Sequence, residues 1–211
     1  MKIRSVFLSG AALLFGSATF AQDYAKIEVP LNYSYMRFNP ENSGTFSGFS
    51  LNGGGGGVAV YVNHWLGIQA DFQGYMTTTR TFNFSATPNS PCPTGCTVRS
   101  SGDLFTYNVG PIIKYRTEHF EPFVEVLFGG AHSNAYHNLV KACQNVCTTA
   151  ANPSNNGWDF VIGGGFDIAL TKSIAIRPAQ VDYILTRFGN PFGENTNQSN
   201  FRYNGGIVFR F

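Results

Sequence analysis

The sequence predicts an all-β protein, an eight-stranded antiparallel up-and-down transmembrane β-barrel. Three observations predict it: an export signal at residues 1–21, eight later segments that alternate apolar and polar residues, and connections that alternate between long and tight. The last segment, Asn200 to Phe211, shows the alternation most clearly. Phe201, Tyr203, Ile207, Phe209 and Phe211 share one side, and Arg202, Asn204, Gly206 and Arg210 share the other, because strand side chains alternate with period 2.

The export signal has a basic start at Lys2 and Arg4, an apolar stretch from Val6 to Ala18, and small Thr19 and Ala21 flanking Phe20. Cleavage after Ala21 leaves a barrel domain at 22–211. A membrane-anchor helix fits less well, because Ser9, Gly10, Gly16 and Ser17 interrupt a stretch shorter than the ~20 apolar residues a span needs. Gln22, not a cysteine, directly follows the cleavage point, which argues against a lipid-anchored start. Only 12% of the residues are charged, where ~25% is usual. Much of the surface is therefore expected to face something other than water. No later segment is long and apolar enough for a spanning helix, so crossing a membrane requires a closed barrel that pairs every backbone group. A net charge of +2 is too small to suggest nucleic acid.

In chain order, the alternating segments are Ile27 to Phe38, Phe49 to Val62, Leu66 to Thr78, Leu104 to Tyr115, Phe120 to Tyr136, Trp158 to Leu170, Ile174 to Phe188 and Asn200 to Phe211. Tight turns are expected at Asn63 to Trp65, Arg116 to His119 and Thr171 to Ser173. Long loops are expected at Asn39 to Gly48, Thr79 to Asp103, His137 to Gly157 and Gly189 to Ser199. Short periplasmic turns and longer outer loops on an even number of strands are the pattern of bacterial outer-membrane barrels. Each segment reaches the ~9–11 residues that a tilted transmembrane strand requires.

Period alone does not separate this barrel from a soluble, ligand-binding one that turns its apolar face inward. The polar faces favour the membrane. Leu104 to Tyr115 sets Phe105, Tyr107, Val109, Ile113 and Tyr115 against Thr106, Asn108, Gly110 and Lys114, and Trp158 to Leu170 sets Phe160, Ile162, Phe166 and Ile168 against Asp159, Gly163, Gly165 and Asp167. Small polar residues suit a narrow lumen, whereas water would favour long Lys and Glu. Aromatics such as Tyr33, Tyr35, Trp65, Tyr115, Trp158 and Tyr203 gather toward strand ends, where a bilayer places its girdles.

The charged residues within strands are the first candidates for function. Glu28, Asp71, Lys114, Glu125, Asp167, Asp182, Arg202 and Arg210 fall by alternation on the inner face, as a lumen charge network that plugs an interior just wide enough for side chains. A polar pore or proton path is the competing reading. Arg177 falls on the opposite phase from Asp182, with Pro178 between them as a candidate bulge. A hydrolase reading needs a nucleophile beside a base, but the adjacent His132 and Ser133 point to opposite faces, and His64 and His119 lie in turns. His137 is a loop histidine with no evident partner.

Cys92 with Cys96 and Cys143 with Cys147 form two C-x-x-x-C pairs in long loops of an exported chain, which suggests disulfides rather than zinc. Pro93 and Gly95 favour a turn within the first pair, and cross-loop pairing stays open. Glycines from Gly53 to Gly57 lack the Lys-Ser or Lys-Thr of a phosphate loop. They are expected to permit curvature and to let bulky side chains from the opposite wall fill the space.

The stretches G-G-G-G-G-V-A-V-Y-V at Gly53 to Val62, P-F-V-E-V-L-F-G-G at Pro122 to Gly130, R-P-A-Q-V-D-Y at Arg177 to Tyr183 and G-G-I-V-F-R-F at Gly205 to Phe211 resemble the outer-membrane protein A transmembrane-domain family, here without a peptidoglycan-binding domain. The resemblance covers essentially the whole chain after the signal. It implies a location in the bacterial outer membrane, contact with outer-membrane lipid, and recognition of Tyr203, Phe209 and Phe211 by the barrel-assembly machinery. The expectation is a monomer with a structural or surface-interaction role through its long loops, with weak small-solute passage as a secondary activity. No enzyme activity, cofactor, metal or nucleic-acid partner is expected. The alternatives are a barrel enzyme acting on outer-leaflet lipid or surface peptides, and a soluble periplasmic ligand-binding barrel.

Overall fold

The computed structural model describes residues 24–38, 49–76, 80–84, 95–100, 103–133, 156–189 and 195–211. Ten strands form among them: β1 (Ile27–Phe38), β2 (Phe49–Tyr61), β3 (Leu66–Met76), β4 (Arg80–Phe84), β5 (Cys96–Ser100), β6 (Asp103–Lys114), β7 (Phe120–Ser133), β8 (Asn156–Ala169), β9 (Ile174–Gly189) and β10 (Asn195–Arg210). Eight of them close into one antiparallel barrel in the order β1-β10-β9-β8-β7-β6-β3-β2. Closure runs from Glu28 opposite Arg210 to Arg37 opposite Phe201. Ile27 and Phe211 extend it by exchanging backbone hydrogen bonds of 3.1 and 2.9 Å.

Two expectations about element bounds are corrected. The segment Thr79 to Asp103 is not all loop, because β4 and β5 pair there as a separate two-stranded sheet, with Arg80 opposite Ser100 and Phe84 opposite Cys96. Gly95 turns into β5 with φ at 76°, in the left-handed region that suits glycine. The final strand starts at Asn195 instead of Asn200, with Thr196 opposite Phe188 and Gln198 opposite Thr186. Its first residues, N-T-N-Q-S, are polar on both faces, so no period marks them as a strand. Residues 39–48, 134–155 and 190–194, which take in most of the other long loops and the expected strand end at 134–136, lie outside the described residues.

Each tight turn is closed by a short polar side chain. Asn63 Oδ1 accepts from the backbone N–H groups of Trp65 (3.0 Å) and Leu66 (2.7 Å). Thr171 Oγ1 accepts from Ser173 (3.2 Å) and Ile174 (3.0 Å), and Thr117 Oγ1 accepts from the N–H of Phe120 (3.1 Å). These side chains stand in for a backbone acceptor, which is why Asn and Thr recur at such turns. Asn63→Ala is expected to lower stability by about 1 kcal/mol, and Asn63→Asp to retain most of it, as measured by denaturant unfolding in detergent.

The barrel turns its apolar side chains outward. Leu31, Ile68, Phe72, Phe105, Val109, Val124, Phe128, Ile162 and Phe201 are exposed, while Glu28, Lys114, Asp167, Asp182 and Arg202 are buried. A soluble ligand-binding barrel would reverse this arrangement, so that alternative fails. Of the girdle aromatics, Tyr33, Tyr35, Trp65, Tyr115, Trp158, Tyr203 and Phe211 are exposed. Outward hydroxyls find partners: Tyr33 Oη donates to Asn52 Oδ1 (2.8 Å) and Tyr203 Oη to the Pro178 carbonyl (2.6 Å).

Candidate functional site

The lumen is the candidate site, and alternation fills it with three layers. The layer at the turn end is ionic. Lys114 Nζ, at the end of β6, contacts Glu28 and lies 2.7 Å from Asp167 Oδ2. Arg177 holds Asp167 with a fork, Nε to Oδ1 at 2.7 Å and Nη2 to Oδ2 at 3.1 Å. Arg116 Nη1 stands 2.9 Å from Glu28 Oε1, and Arg210 pairs with Glu121. Buried aromatic rings back these cations: the Arg177 guanidinium lies 4.1 Å from the Phe123 ring centroid, and that of Arg116 lies 4.3 Å from the Tyr61 centroid.

The middle layer joins charge to amides. Arg202 donates from Nε to Asp182 Oδ2 (2.7 Å) and from Nη1 to Asp71 Oδ2 (3.0 Å). Asp182 also accepts from Asn204 Nδ2 (3.0 Å) and Gln180 Nε2 (3.0 Å). Glu125 accepts from Gln69 Nε2 (2.7 Å) and Gln180 Nε2 (2.9 Å). Gln180 links the two layers, because its Oε1 accepts from Arg177 Nη1 at 2.9 Å. A buried charge costs several kcal/mol unless it is paired and its remaining hydrogen-bonding positions are filled. The shared amides fill many of those positions.

The third layer, toward the long loops, joins an apolar cluster to a polar pair: Asn108 Nδ2 donates to Oδ2 of the buried Asp159 at 3.0 Å, and both stand opposite Gly129, between Leu127 and Ala131 of that cluster. Met36, Leu51, Tyr75, Leu104, Leu127, Ala131, Val161 and Ile184 pack together as a collar inside the barrel. They come from β1, β2, β3, β6, β7, β8 and β9.

All eight charged residues assigned to the lumen from the sequence point into it and are buried. Arg177, out of phase by strict alternation, joins them. The β9–β10 register shifts between Asn204, opposite Gln180, and Gly206, opposite Arg177, so the bulge at Pro178 and Ala179 brings Arg177 back to the inner face. Sequence reasoning missed Glu121, Arg116 and the interior aromatics Tyr61, Tyr75 and Phe123. Glu121 was legible, because it lies two and four residues before the inward Phe123 and Glu125.

The inner glycines work differently from expectation. The space beside them is filled from the adjacent strand, not from the opposite wall. A Cβ on Gly163 would stand 2.0 Å from Asp182 Oδ1, and one on Gly55 would stand 2.5 Å from Gln73 Oε1. Gly163 is opposite Asp182 in register, and Gly55 is opposite Gln73. The missing side chains give the buried polar groups of β9 and β3 room to lie flat along the wall.

His132 is exposed with Nδ1 2.8 Å from Asn156 Oδ1, while Ser133 is buried in the lumen. The two therefore face apart. Cys96 opens β5, and Cys92, Cys143, Cys147 and His137 lie outside the described residues. On β10, Tyr203 is exposed and Phe209 half-buried, and the exposed Phe211 follows the strand. Among the described residues, no three His, Cys, Asp or Glu side chains group as a metal site.

The model of a family described as outer membrane protein beta-barrel domain matches residues 7–211. No curated protein sequence matches the chain. Among solved structures, the Pseudomonas aeruginosa outer membrane protein OprG superposes with a TM-score of 0.62 at 9% identity, over 89% of this chain and 96% of its own. Neisserial surface protein A superposes with a TM-score of 0.58 at 10% identity, over 89% of this chain and 98% of its own. At that identity the likeness is one of fold.

Proposed function

Because this chain belongs to the outer membrane protein beta-barrel domain family and lies in the bacterial outer membrane, we propose that it serves there as a closed scaffold that carries surface-interacting loops. The observation behind this reading is the filled lumen: Lys114, Asp167, Asp182 and Arg202 are each at most 1% exposed. A barrel of eight strands has room for side chains and little else. With the interior occupied, contact with other molecules falls to the lipid-facing wall and the long loops.

On the same reading the chain is a monomer, residues 1–21 are removed on export, and the loop cysteines form disulfides. Tyr203, Phe209 and Phe211 present the last strand to the assembly machinery. No hydrolase role is proposed, since His132 and the neighbouring hydroxyl of Ser133 lie on opposite sides of the wall.

Planar-bilayer recording tests the closed scaffold against the weak-porin alternative. Purified, heat-modifiable protein is expected to give a quiet bilayer. Reproducible conductance steps at neutral pH would replace the scaffold reading with solute passage.

A further inference from the structure

We infer that the apolar collar is a dry seal that separates the outer aqueous phase from the polar interior, independently of the ion-paired layers beneath it. The inference rests on the reading of the barrel as closed and assigns the outer seal to particular residues. Alternation should leave the lumen face polar throughout. Much of the outer part of this lumen departs from that rule, with Met36, Leu51, Leu104, Leu127 and Ile184 each at most 4% exposed beside the buried polar Thr106, Asn108 and Asp159.

The pairing of charges does not call for these side chains, because none of them takes part in an ion pair. Their effect is on what can enter. An ion passing between these methyl and methylene groups loses most of its hydration, and the carboxylate beside them, Asp159, is already held by Asn108 Nδ2 at 3.0 Å; hydrophobic constrictions exclude ions and water by such dehydration. β10 completes the circuit with Asn200, which is opposite Ile184 in register and donates from Nδ2 to Thr186 Oγ1 at 3.0 Å. That amide is already engaged. Tyr75 marks the inner boundary, with its ring in the collar and its hydroxyl 2.9 Å from Ser34 Oγ.

Ser34 therefore provides a sensor just beneath the seal, and Ser34→Cys is nearly isosteric. The test uses full-length protein with its native cysteines changed to Ser, folded in detergent and exposed to silver ion, a small thiol-specific probe. Arg187→Cys, at an exposed position near the loop end of β9, serves as the accessible control. With the collar intact, the Ser34→Cys thiol is expected to survive exposure that consumes the control. Adding Leu127→Ser with Ile184→Ser is expected to make it react.

Reaction at the control's rate through an intact collar would overturn the inference, as would protection that persists when the collar is hollowed. If the double serine variant loses its heat-modifiable mobility, Leu51→Ser with Leu104→Ser hollows the same layer from other strands. The intact-collar measurement stands in either case. Conductance by the unmodified protein would instead contradict the closed-scaffold reading, so the two failures are distinguishable.

Discussion

Replacing Arg202 with Met is expected to destabilise the barrel by about 3–5 kcal/mol, the usual result of removing one partner from a buried ion pair. Arg202 is 1% exposed and holds two carboxylates, Asp182 at 2.7 Å and Asp71 at 3.0 Å. Its loss leaves both acids in a sealed interior with only amide donors. Changing all three together, Arg202→Met with Asp71→Asn and Asp182→Asn, is expected to restore most of the stability, because no uncompensated charge remains. Denaturant unfolding of the refolded variants measures both effects. If the single and triple variants were equally destabilised, packing by the arginine stem would matter more than charge.

The second large effect concerns the outer wall. Val109 sits near the middle of β6, exposed and flanked in register by Ala70 and Phe128. Val109→Arg is expected to cost about 2–4 kcal/mol in a bilayer, since a cation there meets the hydrocarbon midplane. Tyr115→Arg, beyond the turn end of β6, is expected to cost about 0–1 kcal/mol because the headgroups lie within its reach. The measurement is unfolding in lipid vesicles. Equal and small costs at both positions would mean that the wall faces water.

Much of this architecture was legible because a strand in a bilayer must alternate. That constraint gave the eight barrel strands and the inward placement of Glu28, Asp71, Lys114, Glu125, Asp167, Asp182, Arg202 and Arg210. It was silent where the constraint lapses. β4 and β5 lie outside the barrel sheet and, although they alternate, are only five residues each and too short for a membrane strand, and the polar start of β10 resembles a loop because it has no apolar face.

Arg177 was misphased because a bulge adds a residue to one strand, and period-2 counting fails across it. The collar was hidden in a different way. Leu127, Val161 and Ile184 share the inward phase of Glu125, Asp159 and Asp182, but they stand beside outward Phe128, Ile162 and Leu185, so nothing in the run marked these inner positions as a cluster. Which acid meets which base depends on strand stagger. Arg202 and Asp71 are brought together by barrel closure, across a separation of 131 residues.

The chain's two tryptophans provide the most direct test of the central claim, that the apolar wall meets lipid. Trp65 lies at the turn end and Trp158 near the loop end, and they are 44% and 45% exposed on the outer surface. Interfacial girdles place such rings at headgroup level on both sides of a bilayer. Single-tryptophan variants, Trp65→Phe and Trp158→Phe, refolded into vesicles of lipid brominated at defined acyl positions, report the depth of each ring. Both fluorescence signals are expected to be quenched most by bromines close to the headgroup and less by bromines near the chain ends. Fluorescence from both variants that is unchanged between brominated and ordinary lipid would contradict the account.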